Sequence, residues 1–133
     1  MKLGHAPALI FSIFMLGHSS SGYAQEVFRA RLSPMPTTPQ TVNDILGEGE
    51  VLLTLTDQRL EVAGHFTGMS SAATSAHLHN GPPAQPGPVV QVLEIDAATD
   101  GEIRATLELT DEQLTALRNN ALYIQVHSET NAA

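Results

Sequence analysis

Two histidines separated by one residue stand out in the segment 75–90, SAHLHNGPPAQPGPVV. His77 and His79 fall in a short alternation of apolar and polar residues, and alternate side chains of a strand point to the same face. Their Cα atoms then lie roughly 6.5 to 7 Å apart, and both imidazoles can reach one ion at about 2.0–2.1 Å. The pair is therefore a candidate metal clamp.

Two further histidines, His127 and His65, also fall on predicted strands. Each lies on the face opposite the large aliphatic residues of its strand, as the first pair does. We expect His127 to supply a third ligand and His65 a fourth. Ligation by imidazole alone suits copper or zinc, and a three-histidine site with an open position can also bind water or a substrate.

A structural role for the same histidines is the alternative. His77 and His79 precede a Gly/Pro-rich segment at 81–88, and their rings can hydrogen-bond its backbone and hold the shape of the loop. His127 can anchor the loop after it in the same way. The sequence leaves both hypotheses open, and the placement of the four histidines on only three strands favours a cluster.

The elements that must position these residues are short strands. Alternation of apolar and polar residues, broken by turn signals, indicates six or seven of them. The segments are 27–32, 48–56, 59–67, 75–80, 88–93, 102–109 and 121–127. The predicted fold is all-β, an antiparallel β-sandwich or barrel of Ig-like or Greek-key style.

One short helix is predicted near residues 111–118. Thr110 and Gln113 have the spacing of a capping box, in which each side chain satisfies a backbone N–H of the other residue. The helix should end near Asn119 and Asn120, because asparagine tolerates the left-handed conformation.

Composition limits the function of the chain. Residues 25–133 carry all 14 acidic residues and five of the six basic ones, a net charge of −9 with neutral histidines. Such a surface repels phosphate backbones, so nucleic acid is not an expected partner. There is no cysteine, which excludes disulfides, thiolate metal sites and cysteine nucleophiles.

The first 24 residues have the features of a signal peptide. Lys2 gives a positive start, residues 6–17 are mostly apolar, and Gly22-Tyr23-Ala24 has the small-x-small pattern of a cleavage site. The apolar run is shorter than the roughly 20 residues of a membrane span; an N-terminal membrane anchor is the alternative. We expect cleavage after Ala24, no membrane span thereafter, and an exported product, periplasmic or extracellular.

Two segments resemble the signatures of a known family. SAHLHNGPPAQPGPVV and ATLELTDEQLTALRNNALYIQVHSETN are similar to the two signatures of the CHRD domain, which is repeated in chordin and occurs singly in bacterial secreted proteins. The resemblance covers about residues 27–131 and implies a secreted β domain spanning 25–133. Family members usually continue through a Pro-Gly turn into a last strand. The chain stops at residue 133, so either that strand is missing or the form is truncated.

The function that the sequence favours is binding rather than catalysis, and no catalytic residue is assigned. The expected partners are a transition metal, copper or zinc, or another protein. One alternative is a small copper-dependent redox enzyme, because HLHNGPP resembles the His-x-His strand of copper/zinc superoxide dismutases. The cysteines and the aspartate-centred zinc loop of those enzymes are absent. The other alternative is a structural or protein-interaction module of the cell envelope.

Overall fold

The computed structural model describes residues 22, 24–35, 38–82 and 85–132. The predicted signal peptide, residues 1–24, lies outside the described residues except for Gly22 and Ala24, and it stays a prediction. The described chain forms seven strands and one helix. They are β1 (Gln25–Leu32), β2 (Glu48–Thr56), β3 (Arg59–Thr67), β4 (Ala73–Asn80), β5 (Val89–Ile95), β6 (Gly101–Glu108), α1 (Asp111–Arg118) and β7 (Leu122–Ser128).

Strands β2 and β3 form a tight hairpin with the bounds expected from the sequence. Asp57 and Gln58 make its turn, and Asp57 adopts a φ of 58°, a left-handed conformation that aspartate tolerates better than most residues. The register pairs Leu55 with Leu60, so the apolar residues of the two strands share one face. The alternation of each strand is therefore converted directly into a buried face and an exposed face.

All neighbouring strands are antiparallel and form one curled sheet in the order β1-β2-β3-β6-β5-β4-β7. Strands β4, β5 and β6 follow one another in space, and β3 lies beside β6, which is a Greek-key arrangement. The sheet has a four-stranded part, β1-β2-β3-β6, and a three-stranded part, β5-β4-β7. Only two residue pairs of β5 and β6 join them, Glu94 with Arg104 and Ile95 with Ile103.

The core lies between the inner faces of these two parts. Its buried members come from β2, β3, β4, β5 and β6 and from the helix and the residue before its cap, and those of β2 occupy alternate positions. They are Val51, Leu53, Leu55, Leu60, Val62, Phe66, Ala73, Ala76, Leu78, Leu93, Ile103, Leu109, Leu114 and Leu117. The prediction of an all-β antiparallel sandwich or barrel with one short helix is confirmed.

The helix α1 closes the core beside the β2–β3 turn. Thr110 Oγ1 accepts from the backbone N–H of Gln113 (3.2 Å), and the Gln113 side chain accepts from the backbone N–H of Thr110 (3.1 Å), so the predicted capping box is confirmed. Leu114 and Leu117 are buried, and Arg118 binds Glu26 of β1 through its guanidinium. The helix thus connects β6 to β7 while covering part of the core.

Among the described residues, no helix is long and apolar enough to cross a membrane.

Candidate metal centre

His77 and His79 lie on β4, on the side of the strand opposite the core. Their neighbours Ala76 and Leu78 are buried, at 0% and 2% exposure, and belong to the core cluster. The alternation of the strand therefore directs the two imidazoles to the outer face. His79 is nevertheless buried, at 7% exposure, whereas His77 is half-buried. Something on the outer face must cover His79.

Strand β7 brings His127 to the same face. It pairs antiparallel with β4, with Ser75 opposite His127 and His77 opposite Gln125. Directly paired residues share a face, and diagonal neighbours remain within reach of long side chains. The ring centroids of His77 and His127 are 5.3 Å apart, and those of His77 and His79 are 5.8 Å apart. The structure thus brings together three of the four histidines singled out in the sequence.

A hydrogen bond fixes the orientation of His79. Its Nδ1 lies 2.8 Å from the carbonyl oxygen of Gly87. A carbonyl oxygen can only accept, so Nδ1 carries the hydrogen and donates it. The other ring nitrogen, Nε2, then holds a free lone pair, and it is buried with no hydrogen-bond partner among the described residues. This arrangement is the one that metal-binding histidines usually adopt.

The loop after β4 is held in place by Tyr123. The backbone N–H of Gly87 donates to the Tyr123 hydroxyl (3.1 Å), and the tyrosine ring stacks on His79 with centroids 4.9 Å apart and planes 10° apart. A side chain at Gly87 would collide with the Asn80 carbonyl oxygen, so the loop can fold back here only with glycine. Gly87 and Tyr123 together cover His79 and account for its burial.

The remaining two rings are also suited to metal binding. His77 Nδ1 is buried and has no hydrogen-bond partner among the described residues. The pKa of His127 is lowered, first by its partial burial and then by the nearby His77 and His79 rings. A lowered pKa keeps the imidazole neutral, which is the form that coordinates a metal.

The geometry of the triad is close to that of a three-histidine site. One nitrogen from each of His77, His79 and His127 can be chosen so that all three lie within 4.8 Å of one another, and no other group of three His, Cys, Asp or Glu residues in the described ranges does so. Nitrogens bound to one zinc are about 3.3 Å apart when the Zn–N distance is about 2.0–2.1 Å.

His65 does not join the other three histidines, contrary to our expectation of a fourth ligand. It is exposed on β3, where it pairs with Glu50 of β2 and Glu102 of β6. Strands β6 and β5 separate β3 from β4 in the sheet. A strand face can be read from alternation, but the distance between two strands depends on this order, which alternation does not encode.

Among the described residues, which exclude 83 and 84 of the loop, the alternative of a loop-holding role applies to one histidine. His79 does hydrogen-bond the Gly/Pro-rich loop, through Gly87. That bond uses only Nδ1 and leaves Nε2 available, so holding the loop and binding a metal are compatible at this residue. The roles of Gly87 and Tyr123 were not predicted from the sequence. Tyr123 was detectable as a residue on the histidine face of β7, but its partner on β4 depends on the register.

Comparison with protein-family models matches residues 28–133 to the CHRD domain. The matched range contains every strand except the first three residues of β1. It also contains the three clustered histidines and the loop that covers them. Comparison with the curated proteins and with the solved structures gave no match.

Proposed function

The chain belongs to the CHRD domain family, and on that premise we propose that it is a non-catalytic β-sandwich module that binds one copper or zinc ion. The ligands are His77, His79 and His127. Domains of this family are typically extracellular or secreted, and export of this protein is part of the proposal. Copper and zinc are the metals that imidazole-only sites favour.

The observation that carries the proposal is the pair of buried, unpartnered ring nitrogens in the triad. A buried polar atom without a partner costs about 1–3 kcal/mol, and His79 Nε2 and His77 Nδ1 are both in this position among the described residues. A metal ion offsets that cost by accepting their lone pairs. Without an ion, the cost of these two nitrogens stays uncompensated by any group of the described residues.

The fixed orientation of His79 supports the same proposal. The backbone of Gly87 sets the tautomer of the ring, and Tyr123 sets its plane. A ligand that is oriented before the metal arrives loses less conformational freedom on binding. The least mobile ring of the triad therefore serves as the anchor, and the half-buried His77 and His127 adjust around the ion.

Metal titration of the purified protein tests the proposal. The protein is stripped with a chelator, loaded with Cu²⁺ or Zn²⁺, and measured for stoichiometry and melting temperature. We expect one ion per chain. At a free metal concentration 100 times the Kd, binding stabilises the fold by about 2.7 kcal/mol, which raises the Tm by roughly 10 °C in a domain of this size.

Two variants complete the experiment. His77→Ala removes a half-buried ligand and should abolish the metal-dependent rise in Tm. His65→Ala removes an exposed histidine outside the triad and should leave the rise unchanged. If wild type and His77→Ala melt at the same temperature with saturating metal, the triad is not a metal site. A role in protein interaction or envelope structure would then be the better description.

A further inference from the structure

The triad leaves a metal ion with too few ligands from the protein. Copper and zinc sites of this kind hold four or more ligands. Within the described residues, His77, His79 and His127 are joined by no fourth His, Cys, Asp or Glu side chain. At least one coordination position must therefore be filled from outside the triad.

The site is open on one side. His79 is covered by the Gly87 loop and by Tyr123, but His77 and His127 are only half-buried. The core residues Ala76 and Leu78 lie on the opposite face of β4. An ion held by the three rings thus sits on the outer face of the sheet, with solvent on the side of His77 and His127.

The strand register identifies the residues around this opening. Ser75 lies opposite His127, and Gln125 lies opposite His77 on β7. Val92 lies opposite His77 on β5 and is 68% exposed. Residues paired directly across strands share a face, so a hydroxyl, an amide and one apolar side chain surround the opening. The first two can donate hydrogen bonds to a bound ligand.

Charge selects the kind of ligand. Three neutral imidazoles cancel none of the charge of a divalent ion, so the bound ion attracts an anion at short range. The surface as a whole is acidic, with a net charge of −9 for residues 25–133 from five basic and 14 acidic residues. This field opposes multiply charged anions more than singly charged ones.

From these observations we infer that the metal centre binds one small, singly charged anion at an exchangeable coordination position on the outer face of the sheet. The inference rests on the proposed metal-binding function and adds a second ligand to it. In the absence of the anion, a water molecule fills the position and exchanges with solvent.

Azide titration of the copper-loaded protein tests the inference. Azide is small and singly charged, and its coordination to Cu²⁺ produces a charge-transfer absorption band. We expect this band to saturate at one azide per copper. We also expect bound Cu²⁺ to enhance the relaxation of solvent protons, through the exchanging water, and azide to remove at least half of that enhancement. Phosphate at equal concentration should compete at least ten-fold less effectively.

The controls separate failure of this inference from failure of the proposed function. His65→Ala should bind copper and azide as wild type does, because its side chain lies outside the triad. One outcome is that one copper ion binds per chain but azide changes neither the absorption nor the relaxation. The ion then has no coordination position that an anion can reach, so the inference is wrong while the proposed function stands. If copper does not bind at all, both are wrong.

Discussion

At the scale of single residues, the candidate site depends on one imidazole that is locked by its neighbours. His79 is tied to Gly87 through Nδ1, and Gly87 is tied to the hydroxyl of Tyr123. The ring of Tyr123 returns to His79 by stacking on it. These three contacts link each of the three residues to the other two, so the loss of one contact should weaken the other two.

Tyr123→Phe tests whether these contacts depend on one another, because it keeps the aromatic ring and removes only the hydroxyl. The backbone N–H of Gly87 loses its acceptor, and the carbonyl that orients His79 becomes more mobile. We expect copper or zinc affinity to fall by about ten-fold, the lower end of the range for residues that orient metal ligands. Competition with a chelator of known affinity measures this change.

Nitrogen NMR of the wild type and of Tyr123→Phe, both without metal, provides the control for a structural effect. In the wild type, the signals of His79 should show a protonated Nδ1 and an unprotonated Nε2. In Tyr123→Phe we expect a mixture of the two tautomers with an otherwise unchanged spectrum of the core. A variant that keeps both the wild-type tautomer and the wild-type metal affinity would show that Tyr123 does not position the ligand.

At the scale of elements, the join between the two parts of the sheet is short and is reinforced by the turn beside it. Strands β5 and β6 pair at only two positions. Asp96, directly after β5, accepts from the backbone N–H of Glu102 (2.9 Å) and from the Arg104 guanidinium (2.9 Å). Both donors belong to β6, so this side chain reinforces the backbone hydrogen bond from the Asp96 N–H to the Glu102 carbonyl oxygen (3.1 Å).

The pKa of Asp96 gives a test of this connection through the pH dependence of stability. The Glu102 N–H and then the Arg104 side chain lower the pKa of the carboxyl below its ordinary value of 3.8. The unfolded state therefore takes up the proton first as the pH falls. The stabilisation is complete above about pH 3.8 and is lost as the pH falls through the folded-state pKa.

Asp96→Asn removes this titration. We expect the variant to be less stable than wild type at pH 7, and the difference between them to shrink below about pH 3.8. Urea denaturation across the range from pH 7 to pH 2 measures both curves. Curves that stay parallel throughout would show that Asp96 does not reinforce the join.

At the scale of the whole molecule, the two faces of the sheet carry different kinds of residue. The inner face carries the apolar core, and the outer face of β4 and β7 carries the histidines. Strand β4 serves both, because Leu78 in the core lies between His77 and His79. The candidate metal site is therefore supported by the packing behind it, while its ring nitrogens stay outside the core cluster.

Two leucines on β2 test this division between faces with the same chemical change. Leu55 is buried at 1% exposure, and Leu52 is 40% exposed on the outer face. Leu55→Ala should lower the free energy of unfolding by about 2–5 kcal/mol, because it removes buried methyl groups and leaves a cavity. Leu52→Ala should change it by about 0.5 kcal/mol or less. Urea denaturation measures both, and similar losses in the two variants would contradict the assignment of faces.

The sequence by itself determined the local structure of this protein and the candidates for its chemistry. Alternation predicted β1, β2 and β3 to within two residues, and the capping box at Thr110 and Gln113 predicted the helix. The other strands also lie within two residues of their predicted bounds. The largest differences are that β4 begins at Ala73 and β5 continues to Ile95, because the pairing that extends a strand comes from its neighbours.

Only the tertiary structure decided which candidates act together. It placed His77, His79 and His127 side by side, left His65 on β3, which is separated from β4 by two strands, and brought Tyr123 and Gly87 to His79. The physical reason is that side-chain alternation follows from the geometry of a single strand, whereas strand order and register follow from contacts between residues far apart in the chain.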